Sequence, residues 1–110
     1  MLNGITSRLE HYMDLLATRQ KLVASNVANL DTPGYKTQDL DFRHEFSTLA
    51  EGGSPQILDV EGLASKSDGN NVNMDREARL LAENALRFNI ASNLVRAQIR
   101  MVRMAVKEGT

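Results

Sequence analysis

Two apolar seams, one at each end of the chain, repeat every seven residues, and this repeat constrains the fold more than any other feature. The first seam is Leu2, Ile5, Leu9, Tyr12, Leu16, Arg19, Val23, Asn26 and Leu30, stepping 3, 4, 3, 4 over about four heptads. The second is Met74, Ala78, Leu81, Ala85, Phe88, Ser92, Val95, Ile99, Val102 and Val106, with the same alternation. A strict 3.5-residue period suits helices that wind on other helices. A helix on a globular core more often follows a period near 3.6. Arg19 and Asn26 are polar members of the first seam, and such residues trade stability for register and partner number. The Arg19 stem is expected to pack while its charge reaches solvent.

The second seam starts near Asn73 or Asp75, either of which can cap a helix. Asp75 and Glu77 then fall where the helix dipole favours acids, and Arg100, Arg103 and Lys107 lie toward the end that favours cations. Some thirty helical residues make a rod about 45 Å long. Leu80, Ala91, Leu94, Met101 and Ala105 form a second apolar strip beside the seam. One antiparallel partner cannot cover both strips, so this helix needs neighbours beyond the single long helix the chain supplies.

What separates the seams is a break at Asn29-Leu30-Asp31-Thr32-Pro33-Gly34-Tyr35. Pro33 has no N–H and cannot continue a helix, Thr32 is pushed from the α region by the proline, and Gly34 accepts φ > 0. Thr-Pro-Gly-Tyr therefore predicts a type II turn, with Asp31 placed to bond a backbone N–H of the turn. The middle that follows loses the heptad. Asp39-Leu40-Asp41-Phe42 alternates like an extended piece, Arg43 to Leu49 predicts a short helix, and Gln56-Ile57-Leu58-Asp59-Val60 is a second strand-like run. Glu51-Gly52-Gly53-Ser54-Pro55 is a flexible break, and Leu63 to Asn71 is polar and loop-like. Two short strands are marginal alone, so the middle is expected to be mobile unless another molecule holds it.

Together these predict a mainly α single domain. Its long N- and C-terminal heptad helices pack as an antiparallel coiled-coil bundle, and a short irregular or β-hairpin-like segment joins them. The divisions are 1–31, 32–72 and 73–110. A chain of 110 residues with 5% aromatics and no Trp has little material for a thick core.

The charge is uneven. Residues 31–72 carry eight acidic and three basic side chains, whereas residues 73–110 carry seven basic and four acidic. The net charge of −1 argues against a general nucleic-acid or anionic-membrane binder. No run has the length of a membrane span, and no apolar leader is visible at the N-terminus.

The signals for chemistry are sparse. There is no Cys, and His11 and His44 are isolated, so neither thiolate chemistry nor a metal site is expected. Asp39 and Asp41 would share one face of an extended segment, but a solvated acidic edge is the expected role. No nucleophile elbow or phosphate-cradling glycine loop occurs. No catalytic residue, cofactor or metal is expected, and the chain is not predicted to be an enzyme.

Asn26-Val27-Ala28-Asn29-Leu30-Asp31-Thr32-Pro33-Gly34-Tyr35-Lys36, placed after a heptad seam, resembles the signature of bacterial flagellar axial proteins of the rod and hook class. The short length, Asp39-Leu40-Asp41-Phe42 after the turn, and Gly69-Asn70-Asn71-Val72-Asn73-Met74-Asp75-Arg76-Glu77 before the last helix resemble the FlgB family of proximal rod proteins. The related FlgC family comes second. The resemblance covers about residues 1–46 and 69–106. It implies a structural subunit that polymerises through its terminal helices into a periplasm-spanning drive shaft and export channel. It also implies export by the flagellar type III apparatus without a cleaved signal.

The implied partners are copies of the chain, other proximal rod proteins, a FliE-type rod-base adaptor and the export gate. On this resemblance Leu9, Leu16, Val23, Leu81, Phe88, Val95, Ile99 and Val102 form the axial bundle, and Leu94 and Met101 meet neighbouring subunits. Asn26, Asn29, Asp31, Thr32, Pro33, Gly34 and Tyr35 set the angle at which the chain leaves the bundle, and Asp41 and Phe42 lie on a neighbour. The alternative from the seams alone is a coiled-coil adaptor that closes into a small oligomer.

Overall fold

The computed structural model describes residues 2–48 and 53–109, without the side chains of Leu2 and Asn3. The seam position of Leu2, the Leu49 end of the predicted short helix and the Glu51-Gly52 part of the break lie outside the described residues. In order along the chain are helix α1 (Leu2–Ala28), strand β1 (Gln38–Asp39), helix α2 (Phe42–Ser47), strand β2 (Leu58–Asp59) and helix α3 (Met74–Glu108). The fold is mainly α. Long helices at both ends lie antiparallel, and the short middle contributes a two-stranded antiparallel sheet with Gln38 opposite Asp59 and Asp39 opposite Leu58. The molecule measures 68 × 27 × 17 Å, so it is a rod rather than a ball.

The α1 seam faces inward along its middle. Leu16 and Val23 are buried with Leu15, and the seam's Asn26 is buried too. Leu40 and Ala91 are the other buried apolar side chains among the described residues, a thin line of contacts that agrees with the low aromatic content. The antiparallel register follows from three levels. Asn26 meets Glu77, Leu16 and Gln20 meet Asn84, and Leu9 and Tyr12 line a groove with Ala91.

On α3 the strip facing α1 is not the one the period points to. The buried residues are Glu77, Asn84 and Ala91, seven apart, each one residue before Ala78, Ala85 and Ser92 of the expected seam. One residue is roughly 100° of helix rotation. The helix is thus turned so that two polar side chains and an alanine meet α1, while Leu81, Phe88, Ile99 and Val102 are exposed. The physical reason lies on α1, which offers a buried amide at Asn26 and a carbonyl at Leu16. Glu77 accepts the second amide N–H of Asn26, which an apolar residue would leave unpaired, and Asn84 donates to the Leu16 carbonyl as a second bond beside that carbonyl's own helical one. Ala91 belongs to the strip expected to flank the seam.

The middle is held by the chain itself, which corrects the expectation of a segment dependent on another molecule. Val60 N–H donates to the Thr37 carbonyl beside the strand pair, β1 packs on α1, and α2 sets Phe42 and Phe46 edge-on to Tyr12 with ring centroids 5.4 and 5.5 Å away. Asp41 caps α2 by accepting from the His44 N–H. Asp41 and Phe42 are therefore a cap and a helix residue, not the end of a strand.

Candidate functional site

Asn26 organises one layer of the molecule. Its amide nitrogen donates to the Gln38 carbonyl at 2.9 Å and to Glu77 Oε1 at 2.8 Å. Its amide oxygen accepts from the Gln38 N–H at 3.0 Å and the Tyr35 hydroxyl at 2.9 Å. These are all four bonds a primary amide can make. One side chain thus joins α1, the chain after the turn, β1 and α3.

Glu77, fully buried, is balanced on its other oxygen by Arg76 Nη1 at 2.8 Å, and Arg76 Nη2 reaches Asp39 Oδ2 at 2.7 Å. Arg19 closes the set with a two-pronged contact to the same carboxylate, Nε to Oδ1 at 3.1 Å and Nη2 to Oδ2 at 3.0 Å. The Arg19 charge is thus paired with a buried partner and does not seek solvent as its seam position suggested. Asp39 is likewise buried and ion-paired, not a solvated edge. Burial pushes the Asp39 pKa up, but the Arg19 hydrogen bond, the Leu40 N–H and the nearby guanidinium charges outweigh it and hold it below the ordinary value of 3.8. Burial acts on Arg76 in the opposite sense to its partners, and Glu77 and then Asp39 prevail, raising its pKa.

A second layer fastens the turn. Tyr35 N–H donates to the Thr32 carbonyl and Gly34 has φ 76°, which together make the type II turn. Asp31 does not bond the turn backbone; it is exposed and sits 4.0 Å from Lys66. The clamp comes from far along the chain. Asn70, fully buried, donates to the Asn29 and Thr32 carbonyls at 2.9 and 2.8 Å, and Gly34 N–H donates to the Asp68 carbonyl at 2.9 Å. Asn71 Oδ1 accepts from the Thr37 N–H at 2.6 Å, and Lys36 Nζ donates to the Gly69 carbonyl. Gly69 also has positive φ, and a Cβ there would lie 3.5 Å from the Gly34 Cα. The two segments 26–36 and 69–77 are therefore one hydrogen-bonded clasp.

The clasp sets the rotation of α3 and so determines what that helix shows outside. Of the expected bundle residues, Leu16 and Val23 are buried, Leu9 and Val95 are half-buried, and Leu81, Phe88, Leu94, Ile99, Met101 and Val102 are exposed. A groove of about 660 Å³ opens beside Ala17, Lys21, Ala85, Phe88 and Ser92, and another of about 370 Å³ beside Ile5, Leu9, Tyr12, Phe46 and Leu94. Of the turn motif, Asn26 is buried, Asn29 and Tyr35 are half-buried, and Asp31 to Gly34 are exposed. Asn29 spans the helix end, donating to the Ser25 carbonyl and accepting from the Thr32 hydroxyl. Phe42 is half-buried between Tyr12 and the guanidinium groups of Arg19 and Arg87, 5.7 and 5.9 Å from its centroid. Asp41 remains exposed.

Sequence reasoning missed Asn70, Asn71, Arg76 and Glu77 as members of the clasp, and Asp39 and Asn84 as buried polar residues beside it. The available signal was Glu77 and Asn84, two polar residues one heptad apart on a helix with apolar strips elsewhere. Among the described residues no group of His, Cys, Asp and Glu is placed to hold a metal, and no helix is long and apolar enough to cross a membrane.

The sequence profile of the family described as "Flagella basal body rod protein" matches residues 13–36, the C-terminal half of α1 with the clasped turn. Curated relatives match far more of the chain. The flagellar basal body rod protein FlgB of Escherichia coli K12 is 29% identical over 88% of each chain. FlgB of Yersinia enterocolitica is 27% identical over 98% of this chain and 97% of its own. FlgB of Borrelia hermsii is 27% identical over 87% and 90% respectively. The aligned lengths span both long helices and the clasp between them, so the likeness extends across the whole architecture. The chain is thus similar, over most of its length, to FlgB proteins of the flagellar basal body rod.

Proposed function

We propose that this subunit polymerises through its two long helices, with copies of itself and other proximal rod proteins, into a periplasm-spanning drive shaft around an export channel. The observation that carries the reading is the exposed face of α3. Leu81, Phe88, Ile99 and Val102 are 44, 42, 46 and 36% exposed, with Val106 at 63%. They lie at heptad spacing on a helix of 35 residues, about 52 Å long. A regular apolar stripe of that length on a soluble subunit is a contact surface awaiting partners. Many modest contacts spread along a rod also resist torsion better than one small patch, which suits torque transmission.

On this reading Leu9, Leu16 and Val23 back the bundle. Leu81, Phe88, Leu94, Val95, Ile99, Met101 and Val102 face other subunits. The turn Asn29 to Tyr35 sets where the middle segment projects, and Asp41 with the edge of Phe42 lies beside a neighbour. The segments 1–31, 32–72 and 73–110 act as one folded unit. The FliE-type adaptor and the export gate are the partners at the rod base, and the subunit travels through the type III apparatus without a cleaved signal.

Hydrogen exchange on the purified chain, alone and mixed with candidate proximal rod proteins, tests this. The clasp is expected to be protected in both states, and residues 81–106 to gain protection only in the mixture. Ile99→Asp, at an exposed position, is expected to leave the circular dichroism spectrum unchanged while blocking assembly and motility. A motile Ile99→Asp strain would remove Ile99 from the interface. A closed dimer indifferent to rod proteins would favour the coiled-coil adaptor reading.

A further inference from the structure

We propose that the last turns of α3 dock on the acidic strand-pair face of a second copy, so that charge sets the direction in which subunits stack. This rests on the polymer reading above. From Ile99 onward every described residue of α3 is exposed. Two stripes run along this stretch. Val95, Ile99, Val102 and Val106 form an apolar one, and Arg96, Arg100 and Arg103, spaced 4 and 3, form a basic one beside it, with Lys107 next in the same phase. Residues 96–109 hold four basic side chains and one acidic. Such a helix fits a surface that is both apolar and acidic.

The chain carries that surface itself. Residues 31–72 have eight acidic and three basic side chains. Asp39 is consumed internally by Arg19 and Arg76, which leaves Asp41, Asp59 and Glu61 exposed around the strand pair. Leu58 is exposed at the same strand pair and lines one shallow pocket with Leu40, Asp41, Asp59 and Val60. Asp59 and Glu61, two residues apart in extended chain, repeat at roughly 6.6 Å, close to the 5.4 Å pitch that separates arginines one turn apart.

The two surfaces of one molecule cannot meet. The acidic face is tied to α3 at Arg76, and the basic stripe begins twenty residues later, about 30 Å along the helix. That is roughly three screening lengths at 0.1 M salt. The contact is therefore between copies. A neighbour in parallel orientation, displaced along the long axis by that distance, brings stripe onto acid face. Each copy then uses one surface on each side, and the series stays open.

Sedimentation velocity of the full chain at about 50 and about 500 mM NaCl tests the proposal. Self-association is expected to weaken with salt and to fall by about tenfold or more in Arg100→Glu/Arg103→Glu. It should return when that variant is mixed with Asp59→Lys/Glu61→Lys. Because the protein has no cysteine, Arg103→Cys and Glu61→Cys chains also report the contact directly. They should cross-link with each other more than with themselves. Salt-independent association, absence of rescue, or a closed twofold dimer would overturn the proposal. So would a stripe that binds vesicles of anionic phospholipid while its reversal leaves self-association intact. If the arginine variant assembles like the parent and Ile99→Asp does not, the charge inference fails and the polymer reading stands. If neither substitution matters, both fall.

Discussion

Replacing Asn26 by alanine removes a side chain that ties its own helix α1 to three other parts of the fold, the chain after the turn, β1 and α3. The two bonds to the Gln38 backbone border an exposed residue, so water takes over part of them, and about 0.5–1 kcal/mol is lost at each. The Tyr35 hydroxyl keeps a contact with Ser25 at 3.2 Å, so its loss is small. Glu77 is the expensive member. It is fully buried, and one of its carboxylate oxygens loses its partner while the other keeps Arg76, a loss of about 1.5–3 kcal/mol for a charged group. The total is about 3–5 kcal/mol, a large part of the roughly 5–15 kcal/mol by which a domain of this size is stable.

Urea unfolding followed by circular dichroism measures the difference. A midpoint lower by roughly 2 M with an unchanged slope is expected, as is a melting temperature lower by about 4 °C for each kcal/mol. Asn26→Asp separates the two halves of the network. It keeps the acceptor for Gln38 N–H and Tyr35 but loses the donor to Glu77 and places a second carboxylate beside it. It should be at least as destabilised at neutral pH and should recover partly as the pH falls and the new carboxyl regains a proton. A loss below about 1 kcal/mol in Asn26→Ala would refute the claim that this layer determines how α1 and α3 meet.

Two further outcomes follow from the same geometry. Gly34→Val has open space for its Cβ, so its cost is conformational, about 1–3 kcal/mol for a β-branched residue at φ 76°; the expected result is defective rod assembly with nearly full helix content, and normal assembly would count against the turn's role. Because the Asp39 pKa is lowered in the folded chain, the stability it contributes is present above the ordinary carboxylate value of 3.8 and is lost as pH falls through the lower folded value. Asp39→Asn should flatten that acid limb in a pH series of urea melts, and an unchanged limb would show that the pair with Arg19 and Arg76 adds no linkage.

Local chemistry was readable without coordinates. The two helices, the break at Thr32-Pro33-Gly34, the positive φ of Gly34, the short helix after Asp41 and the weak strand near Leu58 all follow from periodicity, capping and turn preferences. These act over a few residues and leave their mark in sequence. The presence of more apolar surface on α3 than one partner can cover was also legible, because it is a count of strips around a helix.

What the tertiary structure alone decided is which strip goes where. A heptad tells that a helix has a face, but not which of its neighbours that face meets. Glu77 and Asn84 turn inward where Asn26 and the Leu16 carbonyl, fifty-one and sixty-eight residues away in sequence, give their buried polar atoms partners out of water. That pairing rotates the apolar seam of α3 to the outside. Likewise Asp39 looks like a solvated acid until Arg19 and Arg76 converge on it, and Asn70 looks like loop filler until it meets the Asn29 and Thr32 carbonyls. Each is a pairing between groups distant along the chain, and no short-range pattern records the cost of leaving either one unpaired.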